Sequence, residues 1–223
     1  MKGQDLGLML KLICLQKKDD WVQQHRGIAA TSDWEKTWEI EMGVREGGPG
    51  WGNDLPESEL IDQWIVERYS VRNLAKETGI SKSQVSVSLN AMIDIGLVKY
   101  DRKLHVPRTN KRALFEFLIA GVRYVFPAKK GELTRGISTS FAAPVLEGKL
   151  MSGGEMVPVW AEPSGNTKGL AVNPLFKSFA VAIRNDPEMY RLLALIDALR
   201  IGLARERELA TSLLKKQMEI SDA

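Results

Sequence analysis

The chain has one cysteine, Cys14, and two histidines, His25 and His105. A single thiol cannot close an intrachain disulfide, and so few imidazoles put a Cys/His zinc site out of reach. The missing disulfide framework points to a reducing compartment. No apolar run approaches the roughly 18 residues of a membrane span. The best candidate, Leu114 to Val122, is about half that length and contains Glu116. A secretory signal is also lacking. Lys11 interrupts the apolar stretch Leu6 to Leu15, and the charged run Gln16-Lys17-Lys18-Asp19-Asp20 stands where a cleavage site would follow. A cytoplasmic protein is expected. Catalytic signatures are missing too: no G-x-S-x-G, no P-loop and no paired His/carboxylate constellation. The glycine run Gly47-Gly48-Pro49-Gly50-Trp51-Gly52 lacks the Lys-Ser/Thr of a phosphate cradle. An enzyme is not expected, and neither is a cofactor or a metal.

What the chain does have is enough length for a substantial core, with 223 residues, 44% of them hydrophobic and 26% charged. Its net charge of +3 conceals an uneven distribution. Residues 19–68 hold four basic and twelve acidic side chains, whereas residues 69–112 hold nine basic and three acidic ones. A concentrated basic block is either a solvated face or the electrostatic footprint of nucleic-acid binding.

The local sequence favours the second reading. Ser70 is placed to cap a helix on which Val71, Leu74 and Ala75 share a face, and Gly79 after Thr78 can end it. Ser81 then caps a second helix, whose stripe of Val85, Leu89, Met92 and Ile93 has helical spacing. A turn of Gly79 to Ser81 forces the two helices to cross steeply, with small Ala75 between them, so a helix-turn-helix is expected. Gly96 ends the second helix. Leu97 to Tyr100 reads as a strand, Asp101-Arg102-Lys103 as a basic turn, and Leu104 to Val106 as the returning strand before Pro107. That hairpin is a two-stranded wing whose tip would meet the phosphate backbone or the minor groove.

The run LAKETGISKSQVSVSLNAMIDIGLVKYDRK resembles bacterial winged helix-turn-helix regulators of the MarR-like kind, over about residues 69–107. The resemblance implies a double-stranded DNA-binding transcriptional regulator that represses by occluding a promoter, with the 81–93 helix in the major groove. With Val85, Leu89 and Met92 inward, Lys82, Ser83, Gln84, Ser86, Val87 and Asn90 point outward. Gln84 and Asn90 suit adenine, Val87 a thymine methyl, and Lys82 a guanine or a phosphate. Ser81, Ser83 and Ser86 suit phosphate oxygens. Arg102 and Lys103 on the wing, with Arg108, Lys111 and Arg112 beyond it, would add salt-sensitive affinity.

Elsewhere the readings are coarser. A buried helix is expected over residues 5–16 and another over Glu57–Arg68, the latter with Leu60, Ile61, Trp64 and Ile65 on its apolar face. Between them the acidic insertion at 19–56 carries Trp21, Trp34, Trp38 and Trp51. It reads either as a satellite core or as a partner-docking surface. Residues 113–120 form an apolar helix, and 122–177, rich in proline and glycine, form short strands or an ordered loop layer. Thr134 to Ser140 reads as an anion-holding string or as a turn. Asp186, Pro187 and Glu188 open a long helix running down to Leu213, in which Gly202 reads either as an interruption or as the site of a close crossing. Its apolar surface needs a cover, from the chain itself or from a second copy.

The expected whole is a mainly α (α+β) protein. A winged helix-turn-helix domain spans 1–112, and a loop-rich dimerisation and sensing region ending in a long helix spans 113–223. A homodimer is expected, because such regulators meet symmetric half-sites. The alternative is an antitoxin-like or adaptor protein that binds DNA and grips a partner protein through the insertion or the terminal helix.

Overall fold

The computed structural model describes residues 1–24, 57–146 and 156–220. The first helix, α1 (Gly3–Gln24), carries apolar side chains almost all round. Leu6, Leu8, Met9, Leu10, Leu12, Ile13 and Leu15 are all buried, which makes α1 the central rod of the fold. It runs past its expected end at residue 16, because Lys18 and Asp19 find buried partners and stay helical rather than opening the insertion. Most of that insertion, with Trp34, Trp38 and Trp51, lies outside the described residues.

Helix α2 (Glu57–Arg68) follows, then α3 (Val71–Thr78) and α4 (Lys82–Asp94), which cross as the two helices of a helix-turn-helix. Strands β1 (Val98–Tyr100) and β2 (Pro107–Thr109) form the antiparallel wing, with Val98 opposite Thr109 and Tyr100 opposite Pro107. The return strand therefore starts at Pro107 instead of ending before it. Pro107 takes the first strand position, where its missing N–H costs no ladder bond, and Leu104 to Val106 complete the turn. This winged helix-turn-helix is α+β, as the sequence predicts.

Helix α5 (Lys111–Ala120) is capped by Asn110 and leads through the short α6 (Val122–Val125) into a region of strands, the first of the two readings its composition left open. Strand β3 (Lys130–Ser138) pairs antiparallel with both β4 (Pro158–Ala161) and β5 (Thr167–Val172), and β4 and β5 pair in parallel, so each strand touches the other two. The Thr134–Ser140 string is thus mostly strand, and the Arg135 Nε donates to the Gly165 carbonyl at 2.6 Å. A 3₁₀ turn at Ser140–Ala142 follows β3.

Helix α7 (Phe179–Asn185) leads into α8 (Pro187–Ile201), which starts on the expected Asp186 cap with Pro187 in its first turn. The long terminal helix is in fact two helices. Gly202 leaves the helical backbone after Ile201, and α9 (Ala204–Gln217) folds back to pack on α8. With α1, α6 and the 3₁₀ turn on its other sides, α8 is buried from Leu192 to Arg200. The chain itself covers this helix. Buried side chains from Leu6 to Met218 join in one cluster on both sides of residue 112.

Candidate nucleic-acid interface

The helix-turn-helix is built by its caps. Ser70 Oγ accepts from the Asn73 amide at 3.2 Å and starts α3. Gly79, at φ 68°, ends it by donating its amide to the Ala75 carbonyl at 2.9 Å. Only two residues later Ser81 Oγ accepts from the Gln84 amide at 3.4 Å and starts α4. Leu74, Ile80, Val85, Leu89 and Met92 fill the angle between the helices.

The inner face of α4 is pinned to α1 by polar contacts as well as by packing. Ser88 Oγ donates to Asp5 Oδ1 at 2.5 Å in a buried contact, and Gln4 Nε2 donates to Gln84 Oε1 at 2.7 Å. The outer face is open. Ser81, Lys82, Ser83 and Asn90 are exposed, as is Val87, whose apolar side chain is 58% accessible. Two residues expected to face outward are only half exposed. Gln84 is tied to Gln4, and Ser86 donates back to the Lys82 carbonyl at 3.2 Å.

The wing beside α4 is organised by Asp101. Its Oδ1 accepts from the amides of Lys103 at 2.8 Å and Leu104 at 2.7 Å, and its own amide donates to the Val106 carbonyl at 3.0 Å. Partial burial pushes the carboxyl up, but these amides and Arg108 hold it below the usual carboxylate range. Arg102 and Lys103 project at the tip. Lys103 reaches Asp62 at 3.6 Å, but with the lysine side chain 64% accessible this pair is weak.

Arg108 departs from its expected role as a phosphate contact. Its guanidinium turns inward, donating to Asp19 Oδ2 at 2.6 Å and to the Tyr69 hydroxyl, and pairing with Asp101 at 3.3 Å. Burial works against its charge, but Tyr69, Asp19 and Asp101 outweigh it and raise the pKa. The residue is half-buried and committed to holding the wing against α1, so it leaves the free basic set. Lys111 is also engaged, with Glu219 at 3.1 Å, whereas Arg112 is exposed.

An open helix face beside a basic wing is the geometry of a DNA reader. From Val66 in α2 to Tyr100 at the end of β1, this segment matches a family model. Residues 66–100 are similar to the bacterial regulatory proteins of the arsR family. The match covers less than half of the 223 residues, and it falls on the helix-turn-helix and the first wing strand. It makes this segment the DNA-binding part of a transcriptional regulator. The family named is arsR, whereas the sequence resemblance is to MarR-like proteins; both describe a winged helix-turn-helix regulator. No curated protein and no solved structure matches the chain.

Sequence reasoning missed two cations near α4. Lys2 and Lys177, far apart in the chain, line a cleft of about 350 Å³ together with Gln4, Gly79, Ser81, Gln84 and Ser178. No periodicity or motif links residues so far apart; only the docking of α1 and α7 on the helix-turn-helix brings them together.

Proposed function

We propose that the chain is a cytoplasmic, sequence-specific double-stranded DNA-binding repressor that seats α4 in the major groove and occludes a promoter. The observation that carries this reading is the division of α4 into a pinned inner face and an open outer one. Asn90 is free to pair with adenine through both carboxamide atoms, Val87 to meet a thymine methyl, and Lys82 to reach a guanine or a phosphate. Ser81 and Ser83 supply short donors to the backbone, whereas the Ser86 hydroxyl is spent on the Lys82 carbonyl, and Arg102 and Lys103 add charge from the wing.

Pairing of two copies over symmetric half-sites belongs to the same proposal, and rests on how such motifs meet palindromic sites. Helix α8 gives it no support, because its apolar surface is already covered. The same cover removes α8 as the gripping surface of an adaptor protein.

Selection of binding sites from a randomised duplex pool with the full chain tests the reading. The expected result is one enriched motif, palindromic when two copies bind. Retention of duplexes with no enriched motif would reduce the protein to a non-specific DNA binder, and no retention at low salt would remove DNA binding altogether.

A further inference from the structure

We infer that the DNA-contact surface extends beyond the helix-turn-helix and wing onto the C-terminal half, where Lys177, together with Lys2, grips the phosphate backbone beside the first turn of α4. The inference rests on the DNA-binding reading and adds to it a second surface built from remote parts of the chain.

Lys177 stands on a segment that cannot move independently of the helix-turn-helix. Before it, Leu175 and Phe176 are buried against the first turns of α1, where the Phe176 ring lies so close to Gly7 that a Cβ there would come within 2.6 Å. After it, Ser178 and Val181 press on the turn itself, and a Cβ on Gly79 would lie 2.8 Å from the Ser178 Cβ. Asn185, at the end of α7, donates through Nδ2 to the carbonyls of Lys76 and Glu77 at 3.3 and 3.2 Å, clamping the end of α3. Lys177 is thus an exposed cation between the buried Leu175–Phe176 pair and the side chains that press on the turn, fixed in place relative to α4.

The charge at this spot has no internal use. Lys2, Lys82 and Lys177 are all exposed, and among the described residues their ammonium groups have no carboxylate partner. No carboxylate lines the cleft between Lys2 and Lys177. The nearest one in sequence, Asp5, is buried and occupied by the Lys2 amide and the Ser88 hydroxyl. Ser81 and Ser178, which carry hydroxyl donors, line the same cleft. Three unpaired cations and two small donors beside the exposed face of α4 match the phosphates flanking a major groove, and they carry no base-reading chemistry.

The test uses the full chain and a fluorescein-labelled duplex of random sequence, with affinity measured over a series of salt concentrations. Each of K2A and K177A should lower the slope of log affinity against log salt by about one, the double variant by about two, and K177R should keep the wild-type slope. K216A, on exposed Lys216 of α9, is the control and should leave the slope unchanged. An unchanged slope in K2A/K177A, or an equal fall in K216A, overturns the inference while leaving base reading by α4 intact. A wild-type chain that ignores the duplex at low salt removes the DNA-binding reading and this extension together.

Discussion

Gln84 and Asn90 carry the same functional group on the same helix, yet only one is free to use it. Bidentate recognition of adenine needs both the oxygen and the nitrogen of a carboxamide. The Gln84 oxygen already accepts from Gln4, whereas Asn90 is exposed. Asn90→Ala is therefore expected to cost about 1–3 kcal/mol on the selected site and little on random duplex, measured by competition binding. Gln84→Ala should leave that preference nearly intact and instead lower folding stability by about 0.5–1.5 kcal/mol, the usual net worth of one hydrogen bond. Equal losses of preference in both variants would mean that Gln84 leaves Gln4 to read a base. At this scale the sequence shows which α4 side chains turn inward by hydrophobicity, and Val85, Leu89 and Met92 do so. It cannot show Ser88 turning inward, or Gln84 and Arg108 being held by polar partners. Their partners Asp5, Gln4 and Asp19 sit far away in the chain, and the pairing depends on where α1 comes to rest.

Elements were legible wherever a local cap or stop decides them. Ser70, Ser81 and Asp186 start helices as their side chains predict, and Gly79 ends one. The wing strand beginning at Pro107 and the nine-residue β3 were not legible, because proline and glycine mark an edge strand and a loop equally well. Two glycines on either side of α4 separate backbone strain from packing. Gly79 and Gly96 both have left-handed backbones, at φ 68° and φ 76°. A Cβ at Gly96 would meet nothing within 4 Å, whereas at Gly79 it would meet the Ser178 and Val181 side chains at 2.8 and 3.0 Å. Gly96→Ala is expected to cost only the backbone strain, about 1–2 kcal/mol. Gly79→Ala should cost more, since α7 must also shift away from the turn. Urea denaturation of the two variants measures the difference, and equal costs would mean that α7 yields without resistance.

Across the whole molecule, α1 joins the helix-turn-helix to the C-terminal half through buried charge. Lys11, 1% accessible, pairs with Glu77 of α3 at 3.1 Å and with Asp186 at the start of α8 at 2.8 Å; Lys18 reaches the same Asp186 oxygen at 3.2 Å. Lys17 pairs with Glu188 in the first turn of α8 at 3.2 Å. The hydropathy pattern identified α1 as a buried helix but gave no sign that its lysines would be buried with it, because their partners lie in other elements. Burial tends to raise the Asp186 pKa, but the two ammonium groups outweigh it and hold the carboxyl below its ordinary range. A carboxylate depressed in the folded state contributes stability above its unfolded pKa, and that contribution is lost as pH falls through the folded value. Asp19 and Asp197 shift the other way, raised chiefly by burial, so acid does not act on all three alike. Comparing wild type with Asp186→Asn isolates the one group. Near neutral pH the variant strands the buried Lys18 and leaves Lys11 with Glu77 alone, and it should lose about 3–5 kcal/mol in urea denaturation. As pH falls below the ordinary carboxylate pKa of about 4 the gap between the two proteins should begin to narrow, and it should close only below the depressed folded value, where wild-type Asp186 is itself protonated. A gap of the same size at pH values on both sides of that range would mean that the contact between α1 and α8 rests on shape rather than charge.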